Sequence, residues 1–130
     1  GGSTLLFDHE KDTFYFGGAS NLISYIGHDG LMDFPLPIMN TTSDTLEKDA
    51  IILACFSKKY FKPHLVQTGV NPLLLTTGLM APEAYTLYDA LDQWVQNKTD
   101  LQIQTAAAKA YARYQKCSFK SAKNLLATGW

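Results

Sequence analysis

Two apolar runs limit what this chain can fold into more than any other feature. "DAIILACF" (49–56) and "PLLLTTG" (72–78) are nearly continuous in Ile, Leu and Ala. Strands that helices cover on both faces have such sequences, whereas strands with one solvent-exposed face alternate between apolar and polar residues. The segment between the runs is long enough for a crossover helix, although Pro63 limits its regularity. The runs therefore predict a βαβ unit with parallel strands and a right-handed crossover.

Short β-forming segments also precede this unit. "TFYFGG" (13–18) and "NLISYIG" (21–27) have the aromatic and β-branched content of strands. The stretch 31–48, which carries Pro35 and Pro37, predicts a long loop, and such loops are often functional.

The last third of the chain has helical patterns. A helix is predicted from Pro82, because apolar residues follow it at helical spacing. Thr99 and Gln102 form a capping box that opens an Ala-rich helix, and Ser118 caps a third, short helix through Leu126. The predicted fold class is α/β, a mainly parallel sheet with crossover helices and a helical C-terminal third.

Composition narrows the class of protein further. At 130 residues the chain is one domain, 1–130, and an apolar fraction of 46% with a net charge of −1 is typical of a folded globular chain. That charge gives no reason to expect nucleic acid as a partner, and no apolar run reaches the roughly 18 residues of a membrane span. The chain begins "GGS" without a visible signal peptide, so we expect a cytoplasmic protein whose N-terminus is processed.

His28 and Cys55 are the candidate reactive residues. His28 follows the strand "LISYI" and Cys55 ends "AIILA". In an open parallel sheet, reactive groups gather outside the carboxyl ends of the strands. A free thiol titrates near ~8.5, so a nucleophilic cysteine needs a base or a positive dipole beside it. His28 and the start of a helix after Cys55 would supply these.

The ordered motifs resemble a known family. "SYIGHDG" (24–30), "IILACFSKKYF" (51–61) and "LLLTTGLMAPEAY" (73–85) are similar to the caspase–legumain–gingipain–separase group of cysteine peptidases. That resemblance implies a caspase-like domain in which Cys55 is the nucleophile and His28 the catalytic histidine. It also implies an oxyanion hole formed by the backbone N–H groups of Cys55 and Asp29.

The substrate cleft is predicted from neighbouring segments. The loop 31–48 and the segment 78–85 would line it, with Met80 and Glu83 as candidate substrate-binding residues, although a buried Glu83 that caps its own helix is an alternative. Lys58, in the basic patch after Cys55, would hold an acidic group of a substrate or stabilise the thiolate. A peptide or protein is the expected substrate.

The sequence departs from the family pattern in two respects. Asp29 stands where the family usually has Gly after the histidine, and only about 20 residues precede "NLISYIG", where the family has further strand–helix units. We therefore expect an open apolar edge next to "TFYFGG" or "PLLLTTG". Another chain, or a missing N-terminal part of a larger caspase-like domain, would complete the sheet there.

Other interpretations of the same residues stay open. Cys55 is also typical of a buried core cysteine, and the domain is then a catalytically inactive caspase-like assembly module or a small-molecule-binding α/β domain. No cofactor is expected, because no nucleotide-binding glycine pattern follows a predicted strand. No metal is expected either, because His28 with Asp29 and Asp33 completes no familiar ligand spacing.

Overall fold

The computed structural model describes residues 2–7, 12–17, 19–39 and 47–130. Two strands near the N-terminus, β1 (Gly2–Phe7) and β2 (Asp12–Gly17), form an antiparallel pair of their own. The main sheet has four strands in the order β3-β4-β5-β6. The elements that follow β2 are β3 (Leu22–Ile26), β4 (Asp49–Leu53), α1 (Ser57–Leu65), β5 (Asn71–Thr76), α2 (Ala84–Val95), α3 (Asp100–Gln115), α4 (Phe119–Leu125) and β6 (Leu126–Ala127).

The α/β class and the mainly parallel sheet are confirmed. Strands β3, β4 and β5 run parallel, and only the two-residue β6 is antiparallel to its neighbour. The predicted β4–α1–β5 crossover is present, and α1 continues through Pro63 to Leu65 before a short 3₁₀ turn at Val66–Thr68.

Both faces of β4 are buried, which explains its continuous apolar sequence. Ile51 and Leu53 belong to one core with residues of α2, α3 and α4. Ile52 and Ala54 belong to a second core, against which α1 and Trp130 pack. Because successive strand residues point to opposite faces, a run without polar residues is what helices on both sides of a sheet require.

The helices follow the local signals in the sequence. Thr99 accepts a hydrogen bond from the N–H of Gln102, whose side chain accepts one from the N–H of Thr99, so the predicted capping box is present. Ser118 caps α4 through the N–H of Ser121. Small residues such as Ala107 and Ala108 are fully buried and allow α3 to approach the sheet closely.

Several strands and helices begin or end at residues other than those predicted. Strand β4 ends at Leu53 rather than at residue 56, because the next residues form the turn into α1. Strand β5 ends at Thr76, and α2 begins two residues after Pro82. A 3₁₀ helix, Gly30–Met32, overlaps the start of the predicted loop 31–48, and residues 40–46 of that loop lie outside the described part.

Of the two segments expected at an open edge, one lies inside the main sheet. "PLLLTTG" lies inside the sheet, since β5 pairs with β4 on one side and with β6 on the other. In the described ranges, "TFYFGG" pairs with β1, and β3 pairs with β4 alone. Strand β3 is therefore an outer strand of the main sheet, and its Ile23 and Tyr25 are exposed. No helix in the described ranges is long and apolar enough to cross a membrane.

Candidate functional site

His28 and Cys55 follow neighbouring parallel strands at the same edge of the sheet. The register pairs Ile26 with Leu53, and the N–H of Gly27 still donates to the carbonyl of Leu53 at 3.2 Å. Continuing that register by two residues sets His28 opposite Cys55. The carboxyl edge of a parallel sheet therefore carries both predicted reactive residues.

A tight turn with a left-handed residue presents Cys55. Phe56 has φ 52° and ψ 30°, a conformation that bulky side chains rarely adopt. Its N–H donates to the carbonyl of Gly78 at 2.9 Å, and the N–H of Ser57 donates to Ala54 at 3.3 Å. The chain thus reverses from β4 into α1 within three residues, 54–56. Cys55 lies in this strained connection, a kind of backbone that is concentrated at functional sites.

Two buried hydroxyls fix this turn to the next strand. Ser57 donates to the carbonyl of Ile52 at 2.7 Å and accepts from the N–H of Thr76 at 2.9 Å. The Thr76 hydroxyl donates to the carbonyl of Ala54 and accepts from the N–H of Ser57. This pair of hydroxyls was not among the residues predicted from the sequence. Its signal was a serine two residues after the cysteine and a threonine that ends an apolar run.

The sulfur of Cys55 contacts the backbone of Met80. Sγ lies 3.5 Å from the Met80 nitrogen and 3.6 Å from its oxygen. Cys55 is half-buried and forms no disulfide. Met80 belongs to the core shared with α2, α3 and α4, so the thiol is directed to that side of the sheet.

The imidazole of His28 is paired with a carboxylate. Its Nε2 lies 2.6 Å from Oδ2 of Asp33, and 72% of the His28 side chain is exposed. The hydrogen bond with Asp33, followed by the charge of that carboxylate, raises the pKa of His28 above its ordinary 6.5. The Tyr25 hydroxyl donates to the carbonyl of His28 at 2.7 Å, which fixes the backbone of this loop. No hydrogen bond joins His28 to Cys55 in this conformation of the described residues.

Asp29 is fully buried beside His28. Its Oδ1 accepts the N–H of Leu31 at 3.0 Å and so caps the 3₁₀ helix, whereas Oδ2 has no partner. Burial raises the pKa of Asp29, and the hydrogen bond from Leu31 partly opposes this rise. Where the family pattern has Gly, the loop is thus shaped by an acidic side chain that accepts a backbone hydrogen bond.

The backbone donors predicted for the oxyanion hole are unengaged. Among the hydrogen bonds of residues 19–39 and 47–130, none is donated by the N–H of Cys55 or of Asp29. The N–H groups of Phe56 and Ser57, at the start of α1, already donate to protein carbonyls. Of these four N–H groups, those of Cys55 and Asp29 are the two left free to donate to an incoming oxygen.

The three candidate substrate-binding residues differ in exposure. The side chain of Met80 is buried in the core, so its backbone rather than its side chain is near the sulfur. Glu83 is exposed at the N-cap position of α2 without a capping hydrogen bond, so the alternative of a buried, capping Glu83 is wrong. Lys58 is half-buried in the first turn of α1, next to the Cys55 turn.

Two further comparisons, with metal-binding arrangements and with known proteins, add nothing to the description of the site. Within the described ranges, no group of three or more His, Cys, Asp or Glu side chains is arranged to hold a metal ion. No protein-family model, curated protein or solved structure matches the chain.

Proposed function

We propose that this protein is a caspase-like cysteine peptidase that hydrolyses peptide bonds through Cys55 and His28. The observation that carries the proposal is the register of β3 and β4, which pairs Ile26 with Leu53, so that His28 and Cys55 each follow their strand by two residues at the same edge. The strained Phe56 turn and the free N–H groups of Cys55 and Asp29 support the same role.

The proposed reaction follows from these groups. The Cys55 sulfur attacks the carbonyl carbon of the scissile peptide bond, and its proton passes to the His28 imidazole. The oxygen of the tetrahedral intermediate accepts hydrogen bonds from the two free N–H groups. The C–N bond then breaks, and the imidazolium gives its proton to the leaving amine. His28 then takes a proton from a water molecule, whose oxygen attacks the thioester carbonyl. The C–S bond breaks, the acid product leaves, and His28 returns the proton to the Cys55 sulfur.

Asp33 would orient the base in this scheme. With Nε2 bonded to Asp33, Nδ1 is the ring nitrogen left to receive the thiol proton. A base held by a third group is a recurring arrangement around activated nucleophiles. In the structure the His28 ring lines a cavity with Phe61 and Leu65 of α1, whereas the Cys55 sulfur contacts Met80 on the other face of the sheet. The proposal therefore requires the exposed His28 side chain to turn towards the sulfur when a substrate binds.

The test is proteolysis of a complex peptide library. We expect the wild-type protein to create new peptide N-termini, which N-terminal labelling and mass spectrometry detect. Cys55→Ala should abolish them, whereas Cys117→Ala, which removes the exposed cysteine after α3, should leave them unchanged. Cleavage that persists in Cys55→Ala would refute the proposal.

The open edge of the sheet supports a second role, in assembly. Strand β3 (Leu22–Ile26) carries no charged residue or proline on its outer edge, although natural edge strands commonly use both to prevent pairing. We infer that another chain, or a further part of the same polypeptide, pairs with β3. Native mass spectrometry of the natural product should then give a mass above that of the 130-residue chain. A mass equal to this chain alone would contradict the inference.

A further inference from the structure

A groove with aromatic and cationic side chains runs between α2 and α3. Its cavity of about 390 Å³ is lined by Tyr85, Tyr88, Asp89, Lys109, Arg113 and Tyr114. We call these six residues the tyrosine–arginine groove. It lies at the end of the helix pair where α2 begins and α3 ends.

The aromatic wall of the groove is ordered by its own contacts. The rings of Tyr85 and Tyr114 stack with centroids 4.3 Å apart and an angle of 21° between their planes. The side-chain amide of Gln115 donates to the Tyr85 hydroxyl. Tyr88 is 72% exposed, so its ring is open to a ligand. A rigid, partly open aromatic surface suits a ligand, because little side-chain entropy is lost when it is covered.

Among the described residues, the cations of the groove have no carboxylate partner. The guanidinium carbon of Arg113 lies 5.4 Å from the centre of the Tyr114 ring, and Lys109 is one turn earlier on α3. In the part of the chain that the structure describes, no carboxylate lies within 4.0 Å of the charged nitrogens of either cation. Asp89 is the single carboxylate of the lining. The carboxylate of Glu83, which lies outside the lining, adds to the effect of burial in raising the pKa of the Tyr85 hydroxyl. The lining therefore carries one net positive charge.

The groove adjoins the segment that contacts the candidate nucleophile. The N–H of Ala81 donates to the hydroxyl of Tyr111 on α3 at 3.1 Å, next to the Met80 backbone that contacts the Cys55 sulfur. The α2–α3 layer lies on the side of the sheet to which that sulfur is directed. A chain lying along the groove would thus lead towards the carboxyl edge of the sheet.

We propose that the tyrosine–arginine groove binds an acidic peptide segment of another protein. Lys109 and Arg113 would pair with its carboxylates, and the stacked tyrosines would cover the adjoining backbone and side chains. A peptide suits the site better than a nucleic acid, because the chain has a net charge of −1 and the lining includes Asp89. This binding does not depend on whether Cys55 is catalytic.

Fluorescence anisotropy with short labelled peptides tests the proposal. We expect a peptide that alternates Glu and Ala to bind roughly tenfold more tightly than its Gln–Ala counterpart, since two exposed charge pairs of about two- to fivefold each are gained. Arg113→Gln and Lys109→Gln should each weaken binding of the Glu peptide by about two- to fivefold, and Asp89→Asn should strengthen it by a similar factor. Added salt should reduce all these differences.

Lys123→Gln is the matched control. Its ammonium lies 5.9 Å from the centre of the Phe119 ring on α4, so this variant removes one charge and one cation–aromatic contact outside the groove. We expect its affinity for the Glu peptide to equal that of the wild type. Equal binding of the Glu and Gln peptides, equal weakening by Lys123→Gln and Arg113→Gln, or tighter binding of a labelled oligothymidylate would each overturn the proposal.

Discussion

The hydroxyl oxygens of Ser57 and Thr76 lie 3.2 Å apart in the interior, where α1 begins and β5 ends. Both residues are fully buried, and each also bonds a backbone group of the other. Because Cys55 lies between Ala54, which accepts from Thr76, and this serine, the pair fixes the turn that carries the thiol. Loss of either hydroxyl should therefore affect both stability and the position of Cys55.

Ser57→Ala should lower the free energy of unfolding by about 1–3 kcal/mol, because it leaves the buried N–H of Thr76 without an acceptor. Urea unfolding monitored by circular dichroism measures the change. Ser24→Ala, on the exposed part of β3, is the control and should change the stability by less than about 0.5 kcal/mol. A loss no larger than that of the control would show that the hydroxyl pair contributes nothing.

Lys116→Gly should stabilise the protein. Lys116 ends α3 with φ 52°, and in this left-handed conformation glycine avoids a cost of roughly 1 kcal/mol that side chains with a Cβ carry. The exposed Lys120 of α4 is the control, because glycine within a helix costs up to about 1 kcal/mol relative to a good helix former. Thermal unfolding should thus shift upwards in Lys116→Gly and downwards in Lys120→Gly, and a downward shift in both would contradict the assigned backbone geometry.

Asp29→Asn should stabilise the His28 loop at neutral pH. The amide keeps an oxygen to accept from Leu31 and removes a buried charge whose Oδ2 has no partner. Since the pKa of Asp29 is raised in the folded state, the wild type loses stability as the pH rises from the unfolded value of about 3.8 through the folded one. The advantage of Asp29→Asn should therefore be small near pH 3.5 and grow as the pH rises. An advantage that does not change with pH would mean that burial does not raise the pKa of Asp29.

Asp33→Asn should lower the pKa of His28 towards 6.5, because it removes the hydrogen bond and charge that raise it. The stabilisation from a raised histidine pKa is present below 6.5 and is lost as the pH rises through the folded value. Both side chains are more than half exposed, so the stability effect should be small and confined to the acidic side. NMR titration of the His28 ring protons measures the change. Asp92→Asn, on the exposed face of α2, should leave this titration unaltered.

The sequence was sufficient for the fold class because local signals and tertiary packing agree in β4, β5 and α3. Ile51 and Ile52 face opposite cores, so an uninterrupted apolar run identifies a two-sided strand. The edge of the sheet could not be predicted in the same way. Strand β5 is covered by β6, a two-residue strand formed after a helix, and so short a segment has no periodicity of its own.

The candidate site, like the fold, could be predicted from the sequence only in part. The positions of His28 and Cys55 at one edge follow from strand order, which the apolar runs and their spacing indicate. The pairing of His28 with Asp33 and the burial of Asp29 depend on the 3₁₀ turn at Gly30–Met32, whose hydrogen bonds are set by side-chain geometry. The exposure of Glu83 also could not be predicted from the sequence, because a helix N-cap position is compatible with a buried or a solvated side chain.

The most direct test of the account is the rate at which iodoacetamide labels Cys55 between pH 5 and 9. If His28 activates the thiol, Cys55 should be labelled at pH 6.5 faster than the more exposed Cys117, and His28→Ala should move the rise in the Cys55 rate to higher pH. Lys58→Ala should move that rise less, and by an amount that added salt diminishes. Identical Cys55 curves for the wild type and His28→Ala would contradict the account and identify Cys55 as a packing residue at the end of a strand.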